Sequence, residues 1–387
     1  MRAIRISQLR PGLVLGRPLL DDRGHVLLNR GVRLSDSYIQ ALHSKGFEMV
    51  YIRDPETEVD VEPEEDLSVA TRAKAMQDLR ETFDSIEKEV DKLKNKSLED
   101  LKDICSSDSV KTLIGSSGRM ERIMQSVGAI INEVLDRANL AGLASIRTAN
   151  AQLYDHSVNV TVVSLMIARL LGLPDRQLRQ LAAGCLLHDI GEAFLDPEDH
   201  DEHRRLRHHT MLGYELLKNC TSADILAPHV AYEHHEHQDG SGQPRGTRSS
   251  NAIERDRNLP PPIPTLIGEI TAVADCYDRF LNGDGKVGPY PPDEALAKVR
   301  GLAGPVLNKA VVSTFLRCVP VYPVGCEITV RSDKYLNYSG VVQEVHTGAL
   351  DRPTIILTRD NRQRIIEPVT LDLTEEKDIE VQCRFFG

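Results

Sequence analysis

The chain has 387 residues, 41% of them hydrophobic, and a formal net charge of -11. That length allows two or three domains, and that charge excludes wholesale nucleic-acid binding, which depends on clustered Lys and Arg to displace counterions. No uncharged apolar run reaches the roughly 18 residues of a membrane span, residues 1–6 carry no export signature, and seven cysteines without a C-x-x-C pair read as reduced thiols, so a cytoplasmic protein is expected with no membrane or nucleic-acid partner.

Residues 1–55 read as a small α/β unit. Leu19-Leu20 and Val26-Leu27-Leu28 flank the turn residues Asp21-Asp22-Arg23-Gly24 as a hairpin, Ser35 caps a helix running through Leu42, and Met49-Val50-Tyr51-Ile52 is a strand. Nothing here has catalytic spacing, which leaves sensing, docking or a purely structural role. An acidic, Pro-containing linker occupies residues 54–66. In the helical linker, residues 66–150, Val69, Ala73, Met76, Leu79, Phe83, Ile86, Val90 and Leu93 recur at spacings of 3 and 4. That stripe suits either a homodimer with a second copy or packing on the neighbouring domain. A polar break at 106–117 precedes a second helical stretch from Met120 to about Leu143. Residues 151–321 read as helix after helix. The tail, 322–387, alternates β-branched runs with turns, as in Glu327–Arg331, Gly340–Val345, Thr354–Thr358 and Arg364–Glu367, and reads as a small β-barrel-like appendage.

Ten of the thirteen histidines fall between His156 and His237, and their placement decides what the helical region is for. Leu178, Leu181, Cys185 and His188 share one helical stripe, and Ala182, Leu186 and Asp189 the next, so an apolar face ends in imidazole and carboxylate. His156 shares a stripe with Val160, Val163 and Ile167. His209 precedes Leu212, Leu216 and Gly213, the last permitting close backbone approach. Leu226, Val230 and His234 form one i, i+4 row, and Ala227, Ala231 and His235 the adjacent one. Asp275 lies beside the small residues Gly268 and Ala272. Buried polar groups need partners or cations. Seven such donors, His156, His188, Asp189, His209, His234, His235 and Asp275, exceed what one ion needs, and two ions bridged by a carboxylate, Asp189 by preference, would use them all. A nitrogen and oxygen set without thiolate suits iron, manganese, cobalt, nickel or zinc. Two such ions lower the pKa of a bridging water and clamp a phosphoryl group for in-line attack, so the ligands favour phosphoester hydrolysis.

In order along the chain, Tyr154-Asp-His-Ser157, His188-Asp-Ile-Gly191, His209-Thr-Met-Leu-Gly213, His234-His-Glu-His-Gln-Asp-Gly-Ser-Gly-Gln-Pro244 and Val273-Ala-Asp-Cys-Tyr-Asp278 together resemble the HD-GYP family. This is the branch of HD-domain metallohydrolases whose members cleave the bacterial messenger cyclic di-GMP. The resemblance covers residues 153–321, and the flanking units are similar to extensions that some members carry. It implies a mainly α fold with an all-helical HD core, two divalent transition metals (iron or manganese first, zinc, nickel or cobalt as alternatives) on the seven donors, and Asp189 as the bridging, catalytic carboxylate. Gly240, Gln243, Pro244, Arg279 and Tyr290 are the implied contacts for a cyclic dinucleotide. Members with a third metal carry a glutamate one turn before the first histidine. Gln152 stands there, a poor substitute on a hard cation, so a third ion is disfavoured.

Three positions depart from the family pattern. Glu192 replaces a lysine, Gln243 the name-giving tyrosine, and Gly288 an arginine before Pro289-Tyr290. Glu192 is then a candidate proton donor to the leaving 3′ oxygen if burial raises its pKa. Arg245, Arg248, Arg255 and Arg257, in a long insertion at 245–262, could reach over the cleft or lie on a solvated loop. Three readings follow: a cyclic di-GMP phosphodiesterase, a degenerate member that binds a ligand or protein signalling partner without turnover, and a hydrolase of another phosphoester.

Overall fold

Helix starts in this chain are set locally. Ser35, Ser68, Ser97, Ser107, Thr265 and Asn308 each precede a helix and accept a hydrogen bond from a backbone N–H of its first turn. The computed structural model describes residues 2–21, 25–47, 49–53, 61, 65–92, 97–112, 118–137, 139–140, 152–196, 201–220, 226–254, 263–283, 288–332 and 334–384. The turn residues Asp22, Arg23 and Gly24, most of the acidic linker, residues 141–151, and Arg255 and Arg257 lie outside the described residues. So does the side chain of Gln152.

The N-terminal unit is the expected small α/β fold. Strands β1 (Arg2–Arg5) and β2 (Val14–Leu15) flank β5 (Met49–Arg53) in an antiparallel sheet. β3 (Leu19–Leu20) pairs with β4 (Val26–Leu28), and α1 (Asp36–Ser44) packs on the same core of Leu15, Leu19, Leu34, Leu42 and Val50.

The helical body begins with α2 (Val69–Val90), α3 (Leu98–Cys105), α4 (Asp108–Lys111) and α5 (Arg119–Leu135), so the polar break contains a short helix. The α2 stripe of Ala75, Met76, Leu79, Phe83, Ile86 and Val90 is buried within this one chain. It shares a continuous apolar core with Ile123, Val127, Ile130 and Val134 of α5 and with the helices that follow. Burying side chains of this size is worth about 1.5 to 3 kcal/mol each, which fixes the linker helix on its own chain.

At the centre lies α6 (Gln152–Leu170), apolar around most of its circumference because α7 (Asp175–Leu186), α10 (Leu266–Asn282), α12 (Lys309–Phe315) and the α2–α5 pair surround it. A 3-10 turn, Ile190–Phe194, follows α7 and packs against α8 (Glu202–Cys220) and α2; α9 (Ala227–Glu233) lies between α7, α8 and α10, and α11 (Pro292–Gly301) against α10. Among the described residues, no helix is long and apolar enough to cross a membrane.

The C-terminal strands β6 (Glu327–Val330), β7 (Ser339–His346), β8 (Ala349–Arg359), β9 (Ile365–Asp372) and β10 (Val381–Cys383) form one antiparallel sheet in the order β10-β6-β7-β8-β9. The barrel-like expectation is therefore corrected: the sheet is open. Closure would need β9 to pair with β10, but β10 spans three residues, and β9 carries Pro368, which lacks the N–H that a second ladder requires.

Gly191 shows how tightly the turn after α7 is held. A Cβ there would lie 1.9 Å from the carbonyl oxygen of His209 and 2.8 Å from the backbone nitrogen of Gly213, so the turn meets α8 backbone to backbone. Gly191→Ala is expected to destabilise the protein by about 1 to 3 kcal/mol or more, because backbone must move. Gly128→Ala, in α5 with nothing within 4 Å of the added carbon, is expected to stabilise it by about 0.5 to 1 kcal/mol. Thermal unfolding of the two variants checks the contrast.

Candidate metal centre

The seven donors come together, but not all of them from within the helices whose stripes they continue. His156, His209 and Asp275 project from α6, α8 and α10, whereas His188 and Asp189 lie just past the end of α7, and His234 and His235 just past the end of α9. Consecutive residues inside a helix diverge by about 100°, so neither adjacent pair could face one site from within it. Ending the helix at that point lets both members of each pair turn inward. Six of the seven are buried and His235 is half-buried.

The donors fall into two groups around Asp189. On one side, Asp189 Oδ2 lies 3.1 Å from His188 Nε2 and 3.9 Å from His156 Nε2, and Asp275 Oδ1 lies 2.9 Å from His156 Nε2 and 4.0 Å from His188 Nε2. On the other, Asp189 Oδ1 lies 3.6 Å from His209 Nε2 and 3.5 Å from His234 Nε2. His209 Nε2 and His234 Nε2 are 3.3 Å apart, and His235 completes that group. Donors that share one ion at about 2.1 Å stand roughly 3.0 to 3.5 Å from each other, so these spacings are those of ligands around a cation.

The residues fit metal on a second count. His156 Nε2, His188 Nε2, His235 Nε2 and Asp189 Oδ1 are buried without a hydrogen-bond partner among the described residues. The first two lie near the carboxylates of Asp275 and Asp189 without meeting hydrogen-bond geometry, and a buried polar atom left unsatisfied costs about 1 to 3 kcal/mol, so a cation would satisfy the cluster better than these contacts do. The rear nitrogens, by contrast, are anchored. His156 Nδ1 bonds Asp278 Oδ2 at 2.6 Å, and the Nδ1 atoms of His188, His209 and His234 bond the carbonyl oxygens of Cys185, Arg205 and Val230 at 2.7, 2.8 and 3.1 Å. Each anchor puts the proton on Nδ1 and aims the Nε2 lone pair at the cluster.

Electrostatics divide the donors. Burial would raise the Asp189 carboxyl, but His188, His234 and His209 hold it well below its usual range. Asp275 is likewise held well below by Arg279 and His156 against the effect of burial. Burial pushes His209, His234 and His235 down, His235 farthest because His234 and Arg279 add to it. Burial acts on His156 in the same direction but is outweighed by Asp275 and Asp278, which raise it to about 9. The nearby thiols stay protonated: burial lifts Cys185 to about 11, and burial with Asp275 lifts Cys276 to about 12. Among the described residues neither donor group includes a thiol, so the set is nitrogen and oxygen only.

Around this centre the other sequence-derived candidates have specific partners. Glu192 pairs with Arg205 and sits 3.3 Å from His209 Nδ1, so both its oxygens are engaged. Arg279 Nε bonds Asp275 Oδ1 at 2.8 Å. Gln243 donates its backbone N–H to the His235 carbonyl at 2.9 Å and contacts His203, which puts it and Pro244 beside the second donor group. Gly240 holds φ +82° where Arg248 packs over it, and the Tyr290 ring lies beside Phe280 and 4.0 Å from Lys298 Nζ. Gly288 has φ +74°, and a Cβ there would lie 2.9 Å from the Phe280 carbonyl oxygen, so an arginine at this position is sterically disfavoured. Arg245 does not reach over the cleft. Its guanidinium bonds Glu233 at 2.7 Å, because that buried carboxylate needs a cation.

Sequence reasoning missed the residues that hold the donors. Asp278 anchors His156, and Glu233, Glu236 and Glu269 are buried carboxylates that fix the loop after His235. Glu233 accepts from Thr265 and Arg245, Glu236 from the backbone of Arg245 and Thr247, and Glu269 from Gln238, Ser249 and Asn308. The i, i+3 spacing of Asp275 and Asp278 was the available signal for the first.

The split in basicity has a measurable consequence. At about pH 7.5 His156 is an imidazolium that must release its proton to ligate, whereas His209, His234 and His235 are already neutral. Calorimetric titration of metal-free protein with Mn2+, in buffers of different ionisation enthalpy, should show proton release that disappears in His156→Gln. In the unmodified protein it should fade as the pH rises through about 9.

The profile of the HD domain family matches residues 153–279, the segment that holds all seven donors. The chain is 28% identical over 251 residues to a cyclic di-GMP phosphodiesterase of Pseudomonas aeruginosa, covering 62% of this chain and 56% of that one. It is 29% identical over 197 residues to a cyclic di-GMP phosphodiesterase of Thermotoga maritima, covering 48% of each. To a 3′3′-cGAMP-specific phosphodiesterase of Vibrio cholerae it is 31% identical over 150 residues, covering 37% of this chain and 30% of that one. The chain thus spans about half the length, or less, of the curated relatives it matches. Residues 153–279 carry the HD-domain match and the seven donors alike.

Proposed function

We propose that the chain is a metal-dependent phosphodiesterase that hydrolyses a cyclic dinucleotide, cyclic di-GMP first, with iron or manganese as the favoured metals. The observation that carries this reading is the carboxylate of Asp189 with one oxygen toward His156 and His188 and the other toward His209 and His234. The relatives supply the substrate class by their names, two as cyclic di-GMP phosphodiesterases and one as specific for 3′3′-cGAMP. Two bound cations would supply an activated water and neutralise charge on a phosphodiester.

The protein's own residues do the rest. Asp189, ionised and buried, keeps the two donor groups in register, and the rear anchors keep the imidazoles from turning. Asp275 ties Arg279 to the first group, which places a guanidinium beside the donors where a phosphate oxygen would dock. Arg205 of α8, drawn in by Glu192 of the 3-10 turn, brings a second guanidinium to the rim, which offsets in part the absence of a lysine at position 192. Glu192 could protonate a leaving 3′ oxygen only after the Arg205 pair opened.

A binding protein without turnover is the second reading, and the engaged carboxylate of Glu192 is the observation that favours it. One panel separates the two. Protein loaded with Mn2+ or Fe2+ is incubated with cyclic di-GMP, 3′3′-cGAMP and the linear dinucleotide, and both hydrolysis and binding are followed. Multiple turnovers of a cyclic substrate are expected, with Asp189→Asn slower by at least about a hundredfold, equivalent to about 2.7 kcal/mol or more of lost transition-state stabilisation. Stoichiometric binding with no product over hours would replace the hydrolase with the binding protein.

A further inference from the structure

The anchor behind His156 does not end at Asp278. Asp278 Oδ2 accepts from His156 Nδ1 at 2.6 Å, while its Oδ1 accepts from Asn159 Nδ2 at 2.8 Å and from Asn282 Nδ2 at 2.6 Å. Asn159 Oδ1 in turn accepts from the guanidinium of Arg72 at 2.8 Å, and the same Arg72 nitrogen bonds Asp155, the residue before His156, at 2.5 Å. Arg72 belongs to α2, outside the segment that matches the HD family.

Hydrogen-bond polarity makes this chain directional. A guanidinium only donates, so Asn159 must present its carbonyl oxygen to Arg72 and its NH2 to Asp278. Asp278, with Oδ1 occupied, keeps Oδ2 for the His156 Nδ1 proton, and His156 is left with Nε2 as its ligating atom. The Arg72 and Asp155 side chains are only 18% and 4% exposed, so water competes weakly for these bonds. Helix α2 also packs on the 3-10 turn that follows Asp189, and it therefore touches the centre at two points.

We propose that Arg72 is a positioning residue through which the linker helix α2 orients His156 and sets the affinity of the first metal position. The inference rests on the two-metal reading above. Outer-shell partners of ligating histidines are typically worth about 10- to 100-fold in metal affinity. Asn282 still holds Asp278 when Asn159 lets go, so removing Arg72 should cost less, about three- to tenfold on the same scale.

The test is titration of the full chain with Mn2+ by calorimetry and with Co2+ by its visible absorption. Arg72→Met breaks the relay at its start. Asn159→Asp keeps the partner for Arg72, and hence the docking of α2, but cannot donate to Asp278. Both variants should bind two ions, one with three- to tenfold weaker affinity and an altered Co2+ spectrum, the other unchanged, and Arg72→Lys should recover most of the loss. Two unaltered affinities and spectra in Asn159→Asp overturn the proposal, whatever Arg72→Met does to stability. An unmodified chain that binds fewer than two ions would instead overturn the two-metal reading itself.

Discussion

One buried carboxylate sets the terms for the helical body. Asp189 is enclosed by His156, His188, His209 and His234, and held ionised although burial opposes its charge. A charge in that position is tolerable only if compensated, and imidazoles that are themselves pushed toward neutrality compensate poorly. The orphaned nitrogens beside it have the same need. Divalent cations answer both at once, which is why the geometry is intelligible as a metal centre and awkward as a polar core.

That requirement propagates outward into the fold. Two consecutive donors must face one point twice over, so α7 and α9 stop where they do. The turns that replace the next helical residues need close packing to stay put. Gly191 against the His209 carbonyl provides it after α7, and Gly242, where a Cβ would lie 2.3 Å from the His237 nitrogen, provides it after α9. Behind the second turn, Glu233 and Glu236 serve as acceptors for backbone N–H groups of Thr265, Arg245 and Thr247, and Glu269 ties the side chains of Gln238, Ser249 and Asn308 together. The carboxylates that look like surface charge in the sequence are thus interior fasteners.

What could be read from the sequence follows the same division. Helix periodicity and the side chains that converge at the centre were legible, because apolar stripes ending in His or Asp are local patterns, and the small N-terminal unit was legible from its caps and hairpin. The helix ends at His188 and His234 were not, since an i, i+4 row does not say where the helix stops. The partners of Arg245, Glu192 and Asn159 were not legible either, because they lie 12, 13 and 87 positions along the chain. The open C-terminal sheet escaped for a related reason: strands read one at a time do not reveal whether the first and last will meet.

Charge gives the site its sign, and the sign bears on what can enter. Among the described residues the carboxylates Asp189, Asp275 and Asp278 converge on this pocket and outnumber the Arg279 guanidinium and the raised imidazole of His156, within a chain of net charge -11. A dianionic dinucleotide approaching that pocket would be repelled. On the proposed two-metal reading, two divalent ions would outweigh the proton His156 gives up and reverse the local sign, so the residues that would reject a phosphodiester when bare would attract it when loaded. Metal occupancy would then govern substrate binding as well as chemistry, and anything that alters the orientation of His156, including the linker helix that Arg72 connects to it, would act on both.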